Sequence, residues 1–299
     1  MSSSAGYRLM AMNQTHQLAT PEAMLAYDVR GPLPPVGGRP PLMMVGAPMD
    51  ASGFDSLAAH FEDRTVVTYD PRGLGRSVRR DGDASYTADW NAADMHQVIQ
   101  ALDAGPVEMF ASSGGAVSAL SLVSTHPDDV STLVAHEPPM LALLPDAERA
   151  FAAERAVQEV YRERGWGHGM AAFLDLGSWE GELTEEFAER PVPDPAAFGL
   201  PVDDDGSRDD PLLSGASNPI TAFRTDVDAL ALVSTRIVIA AGVESRGLLT
   251  GRTSAAIAQA LGERVVEFPG DHGGFLGGEF GQQGKPEAFA ATLRKVLDA

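Results

Sequence analysis

Val107-Glu-Met-Phe-Ala-Ser-Ser-Gly-Gly-Ala-Val-Ser-Ala-Leu120 decides the fold of this chain. An apolar run, Val107 to Phe110, meets a cluster of small residues, Ala111 to Gly115, and then a helix-compatible run from Ala116. That order reads as a buried strand turning sharply into a helix. Small residues on both sides of a serine let the backbone fold back tightly and lift the hydroxyl clear of the turn. Ala111 and Gly115 frame Ser113 in the pattern small-x-Ser-x-small, a nucleophile elbow with alanine in place of the usual first glycine. Centring the pattern on Ser112 would put Phe110 at a crowded position, so Ser113 is the candidate nucleophile. Gly/Ser-rich strand-to-helix turns also cradle phosphates, but the stretch has neither a Gly-Lys-Ser/Thr ending nor a G-x-G-x-x-G pattern.

Outward from the elbow, short apolar strands alternate with helical periodicity. On the N-terminal side, residues 1–13 read as a loose tail. A hairpin then joins Gln17–Ala19 to Met24–Arg30 across Thr20-Pro21. Leu42–Val45 and Thr65–Tyr69 are strands, Phe54–Phe61 has helical spacing, and Ala88–Leu102 is a helix with apolar positions three and four apart. On the C-terminal side a helix to about Thr125 and the strand Ser131–Ala135 follow. The rhythm stops after Pro138-Pro139 and resumes with a strand at Arg236–Ala241, a helix at Thr250–Leu261, a strand at Val265–Phe268 and a closing helix at Pro286–Leu297. Alternation of this kind predicts an α/β doubly wound, mostly parallel sheet with ligands at the carboxyl ends of its strands. Residues 140–222, with helix-like stretches at Pro145–Arg164 and Gly169–Leu176, read as an inserted, mainly helical cap. The expected core comprises residues 1–139 and 223–299.

Composition narrows the function. The 299 residues carry 42 acidic and 22 basic side chains, a net charge of −20 that disfavours nucleic acid and anionic membranes as partners. The acidic run Asp203–Asp210 lacks a fixed ligand spacing and reads as a solvated loop rather than a metal site. With no cysteine, disulfides, thiolate catalysis and Cys-based zinc sites are excluded. The first residues lack a basic stretch followed by an apolar core, and no apolar run approaches the roughly 18 residues of a spanning helix. The expectation is a soluble cytoplasmic protein without metal or organic cofactor. A homodimer is left open.

A serine nucleophile needs a base. Of the seven histidines, His16, His60, His96 and His168 fall in the tail, on helices or in the cap, and His126 ends a helix. His272 follows the last predicted strand in Phe268-Pro-Gly-Asp-His-Gly-Gly-Phe275, where small neighbours leave room for its ring to swing to the sheet edge that carries Ser113. Imidazole titrates near neutrality and can shuttle the serine proton. A carboxylate must orient that ring. Two compete: Glu244 in Gly242-Val-Glu-Ser245, and Glu137 in Ala135-His-Glu-Pro-Pro139 beside the elbow strand. Gly114, just past the nucleophile at a helix start, offers a backbone N–H to a developing oxyanion.

Four landmarks in order resemble the α/β-hydrolase superfamily over almost the whole chain. They are the elbow, Tyr69-Asp-Pro-Arg-Gly-Leu-Gly-Arg-Ser77, Val45-Gly-Ala-Pro48 (similar to a His-Gly-x-Pro oxyanion loop, with Val45 for histidine) and Phe268-Pro-Gly-Asp-His272. The resemblance implies an α/β-hydrolase fold with an eight-stranded sheet. Most members carry the acid as the aspartate of Gly-x-x-Asp after the seventh strand, and Ser245 stands there in this chain. A subset that includes the fungal zearalenone lactonases uses a glutamate straight after strand six in Cys-His-Glu-Leu-Pro. Ala135-His-Glu-Pro-Pro139 and Ser112-Ser113-Gly-Gly resemble that subset, which implies Glu137 as the acid and Glu244 as the alternative. It further implies Ala47 as the second oxyanion donor, since Pro48 has no N–H, and a mainly structural role for Arg72 and Arg76.

On this reading the chain is a serine carboxylic ester or lactone hydrolase acting on a moderately large, apolar small molecule. Met49, Trp166, Trp179 and Phe173 are candidate cleft residues, with Met170, Phe198, Met43 and Met44 raising the same question of cleft against core. Rivals with the same triad are C–C bond hydrolysis, thioester hydrolysis and cofactor-free peroxidation. A low-turnover binding protein that senses a small lactone is the non-enzymatic alternative. Haloalkane dehalogenases and epoxide hydrolases attack with aspartate, which Ser113 replaces.

Overall fold

A computed structural model describes residues 13–83 and 85–299. The tail expected over residues 1–13 lies outside them except for Asn13, which already opens a strand. The strands are β1 (Asn13–Ala19), β2 (Ala23–Arg30), β3 (Leu42–Ala47), β4 (Val66–Tyr69), β5 (Val78–Arg79), β6 (Val107–Ser113), β7 (Val130–His136), β8 (Arg236–Gly242) and β9 (Val266–Phe268). The helices are α1 (Asp55–Ala58), α2 (Ala88–Leu102), α3 (Gly114–Thr125), α4 (Ala147–Arg164), α5 (Trp166–Ser178), α6 (Glu185–Ala188), α7 (Asn218–Thr221), α8 (Val227–Leu230), α9 (Leu249–Ala260) and α10 (Pro286–Leu297).

They form one sheet in the order β1-β2-β4-β3-β6-β7-β8-β9, with β5 pairing β2 off that path. The strands from β4 to β9 along this order are parallel, and the β1–β2 hairpin joins β4 antiparallel. The chain therefore winds outward from β3 to β4 and returns past it to β6, so the order reverses between β3 and β6. At such a switch point a crevice opens beyond the strands' carboxyl ends.

The sheet is buried on both faces, which explains why β3, β4 and the middle of β6 are continuously buried rather than alternating. The pleat still sorts the side chains. Met43, Val45, Met109 and Ala111 face the core shared with α2, α3 and α9, while Leu42, Met44 and Phe110 face Leu57, Phe61, Phe289 and Leu293 of the opposite layer. Met43 and Met44 are thus core residues, not cleft residues.

Two details depart from the sequence expectation. The helical spacing at Phe54–Phe61 resolves into a single α turn between two 3-10 turns, because apolar residues three apart suit either helix type. The expected eight strands become nine through β5, whose two residues are too few to show a period.

Between β7 and β8 the described residues form no strand. Helices α4 and α5 meet at Gly165 (φ 84°) and enclose a separate apolar cluster around Val157, Tyr161, Leu176 and Leu213. This segment is tied to the sheet layer where Asp146 receives Leu183 N–H at 2.6 Å and pairs with Arg252 of α9. Toward its end the allegiance changes: Ile220 of α7 belongs to the main core with α3, although the sequence reading assigned residues up to 222 to the cap.

The elbow is tightly packed against β3. A β-carbon at Gly115 would lie 2.8 Å from Gly46 Cα and 2.9 Å from the Val45 carbonyl oxygen, both backbone atoms. Gly115→Ala should therefore lower stability by about 1–3 kcal/mol, seen as a lower urea midpoint at unchanged slope. Gly177→Ala, in α5 with open space around it, should leave the midpoint unchanged or raise it.

Candidate active site

The sheet register assembles the site. Ala47 pairs with Ser113 across β3 and β6, Ser112 pairs with His136 across β6 and β7, and His136 pairs with Ala240 across β7 and β8. Ser113, Glu137 and the β8 end therefore share one carboxyl edge.

Ser113 has φ 57° and ψ −132°, a region essentially closed to residues with a β-carbon. Holding it there costs about 1–3 kcal/mol, which the surrounding packing must offset. The reward is geometric: the strand stops, α3 starts at Gly114, and the serine stands out between them. Gly114 is required because a β-carbon there would sit 2.8 Å from the Ala47 carbonyl oxygen and 3.2 Å from Ile220 Cγ2. The backbones of Ala47 and Gly114 thus flank the serine, with Ile220 packed over them.

Glu137 follows β7 with φ 50° and is fully buried. A charge so placed needs partners, and three elements supply them. Oε1 accepts the Gly242 N–H at 2.9 Å, Oε2 accepts the Thr250 hydroxyl, and His272 Nδ1 lies 2.7 Å from Oε2. Burial pushes the Glu137 carboxyl up, but its bonds to His272 and the neighbouring groups outweigh this and hold it well below the usual carboxylate range. Ser245, at the position where most of the superfamily resembled carries an aspartate, is buried nearby without a hydrogen bond of its own. It stands close enough to help favour the Glu137 charge.

His272 reaches Glu137 across the end of β8. Gly242 permits this, since a β-carbon there would lie 2.4 Å from the Gly270 carbonyl, which itself accepts Glu244 N–H at 3.0 Å. The ring is half-buried, with 44% of its side chain exposed. Burial pulls its pKa down, and the Glu137 hydrogen bond and charge more than reverse this, so the pKa is raised from 6.5. With Nδ1 engaged, Nε2 is the free nitrogen. Among the described residues no hydrogen bond joins Ser113 Oγ to that ring, so the pair Glu137–His272 is formed and the serine hydroxyl stands uncommitted.

Other expected positions separate from this edge. Glu244 is exposed and ion-paired with Lys285. Trp166 Nε1 donates to Asp210 at 2.9 Å, and Trp179 donates to the Glu182 carbonyl and packs on Phe187 at 5.2 Å. Both, with Phe173 and Met170, pack against the insertion's own cluster, and Phe198 is exposed. Met49 lies against Gly46 and Gly53, over the end of β3. Arg72 binds Asp94 at 2.6 Å and Arg76 binds Asp70 and Asp28 at 2.8 Å, leaving no guanidinium for an anion. The acidic run is an exposed loop closed by its own Asx turns and an Asp204–Arg208 pair. Sequence reasoning missed Thr250, Ile220 and the surroundings of His136. Nothing local distinguishes them, because each acts through a residue far away in the chain.

A family model described as the alpha/beta hydrolase fold matches residues 42–165. The chain is 29% identical over 264 residues, 86% of its length and 89% of the relative's, to an uncharacterized hydrolase, YraK, of Bacillus subtilis strain 168. Its structure resembles a thermophilic esterase from Thermogutta terrifontis (TM-score 0.61, 20% identity, covering 96% of this chain and 98% of that one). It also resembles the enol-lactonase from Burkholderia xenovorans LB400 (TM-score 0.59, 19% identity, covering 95% and 100%). Among the described residues no helix is long and apolar enough to cross a membrane.

The Glu137–His272 pair yields a direct check. Glu137→Gln removes the charge but keeps the volume, so burial should prevail and the His272 pKa, followed by NMR of the imidazole, should fall below 6.5. Glu244→Gln should leave it within about 0.2 units.

Proposed function

We propose that this chain, which belongs to the α/β-hydrolase superfamily, is a serine hydrolase of carboxylic esters or lactones. The observation that carries the reading is the meeting of a strained serine elbow with a buried carboxylate already bonded to a histidine on the same strand edge. Each part has a chemical use. His272 Nε2 takes the proton of Ser113 as the hydroxyl attacks the substrate carbonyl, and Glu137 holds the ring in the tautomer with a proton on Nδ1 and stabilises the imidazolium. Catalytic hydrogen bonds are commonly long before substrate binds and tighten in the complex, so the uncommitted serine suits a resting site. The tetrahedral oxyanion is received by the Ala47 and Gly114 amides. The alcohol leaves with the proton from His272, and water activated by the same ring then cleaves the acyl-serine.

The substrate is read as a moderately large, apolar ester or lactone. Ile220, packed at Gly114, and Met49, packed at Gly46, are apolar and support this. The resemblance to an esterase and an enol-lactonase points the same way by fold alone. The glutamate placed directly after β7 keeps the reading closest to the zearalenone-lactonase-like pattern. Residues 140–222 act in it as the cap, and the −20 net charge fits a small uncharged substrate rather than a polyanion.

The test is labelling by a fluorophosphonate followed by turnover of p-nitrophenyl esters and lactones of graded size. The wild type should be labelled and turn over repeatedly, and Ser113→Ala should do neither. Glu137→Ala should lose about 10⁴-fold in kcat, while Glu244→Ala, at an exposed pair, should stay within about twofold. Because His272 must be neutral to act as base and its pKa is raised, kcat/KM should fall on the acid side through a pH above 6.5. Folded wild-type protein that is neither labelled nor active, or a Glu244 variant that loses activity while the Glu137 variant keeps it, overturns the assignment.

A further inference from the structure

His136 is an imidazole where the packing calls for a hydrocarbon. Its ring is fully buried and lies 5.3 Å from Phe289, 5.9 Å from Phe110, 6.1 Å from Phe268 and 6.2 Å from Phe275. Two nitrogens in such a cage are costly unless they are used. Nδ1 is 3.2 Å from the Ser112 hydroxyl, which the β6–β7 register sets opposite it. Nε2 has no hydrogen-bond partner and stands 3.8 Å from Glu137 Oε1. The ring is close to parallel with that of His272, at 24° and 6.2 Å between centroids.

These contacts settle the tautomer. If Nδ1 carried the proton and donated it to Ser112, the bare lone pair of Nε2 would face a carboxylate oxygen, which is repulsive. If Ser112 donates to Nδ1, the proton sits on Nε2 and its positive end faces Glu137. Charge on the ring is disfavoured: burial dominates and lowers the pKa to about 4, against the pull of Glu137. The titratable groups that bear on it are Glu137 and, from the loop after β9, His272 with Asp271 behind it. Its named neighbours on β6, β8, β9 and α10 (Phe110, Ser112, Ala240, Phe268 and Phe289), and Phe275 in the loop, carry no charge.

We propose that His136 is a positioning residue for the proton-transfer machinery, a neutral imidazole that is oriented by Ser112 and turns the positive end of its Nε2–H dipole toward Glu137 Oε1 across 3.8 Å, a charge–dipole contact rather than a hydrogen bond, which favours the rotamer that keeps Oε2 on His272. This rests on Ser113, His272 and Glu137 being the triad. The N–H dipole does two things at once. It fixes the carboxylate without adding a net charge, and it tempers the field at His272, keeping the base from becoming too strongly protonated near neutrality. The carboxylate thus has the Gly242 N–H on Oε1 and the Thr250 hydroxyl and the catalytic base on Oε2, and the imidazole dipole beside Oε1 adds an electrostatic preference for that orientation.

Three measurements on the full chain test this. The first, 15N NMR of the wild type, should find His136 neutral with its proton on Nε2 from pH 6 to 9; a protonated Nδ1 or an imidazolium at pH 7 overturns the proposal. The second is ester turnover by His136→Phe, which fills the aromatic cage and removes the N–H. It should lower kcat about tenfold with KM within about twofold, and move the acid limb of kcat/KM upward by about half a pH unit. The third is His136→Gln, which restores an N–H and should bring the limb back toward wild type. Unchanged kcat and limb in the Phe variant, or a Gln variant no better than Phe, shows that the ring only packs. Should the Phe variant not fold, the NMR result and the Gln variant still decide. Ser113→Ala separates the two levels: retained activity there defeats the triad reading, whereas the tautomer of His136 stands or falls by its own spectrum.

Discussion

A fully buried carboxylate is the constraint around which this molecule is arranged. Glu137 cannot keep its charge away from water without donors, and the donors come from the end of β8, the start of α9 and the loop after β9. Each of those elements must arrive at one strand edge within hydrogen-bonding distance. The parallel register makes this cheap, because adjacent strands end at the same level and turn over together. The left-handed turn at Glu137, with φ 50°, and the strained turn at Ser113, with φ 57°, mark the two places where the chain leaves that edge under tension.

The same edge explains the pattern of glycines. Gly114, Gly115 and Gly242 are positions where a β-carbon would strike backbone rather than a movable side chain. Their role is proximity: α3 must press on β3 for the serine to stand at the strand edge, and the loop after β9 must cross β8 for the histidine to reach the carboxylate. The two apolar layers on either side of the sheet supply the rigidity that holds these approaches.

Much of this was legible in the sequence where information is local. The elbow declared itself through small residues, the sheet through short apolar runs, and α2 and α10 through spacing that matched their observed bounds. The competition between Glu137 and Glu244 was not settled by spacing; it took a resemblance to choose, and the structure shows one inward on His272 and the other outward on Lys285. Trp166, Trp179 and Phe173 illustrate a different limit. Helical periodicity says that a face is buried but not against what, and here it is buried against the insertion itself. His136 was illegible for the opposite reason, since its cage is built from residues up to 153 positions away, such as Phe289.

Helix α7 leads somewhere else. Ile220 rests on the backbone at Gly114, while the neighbouring Asn218 and Thr221 are bound to Gln158 and Glu154 of α4, at 2.5 and 2.7 Å. The roof above the elbow is therefore carried by the inserted segment, and its floor by the sheet. Changes in four residues, 218–221, can reshape the space above the serine without disturbing a single partner of the buried carboxylate. The contacts that carry Ile220 and those that hold the buried carboxylate therefore lie in separate parts of the chain, so the first can change while the second stands still.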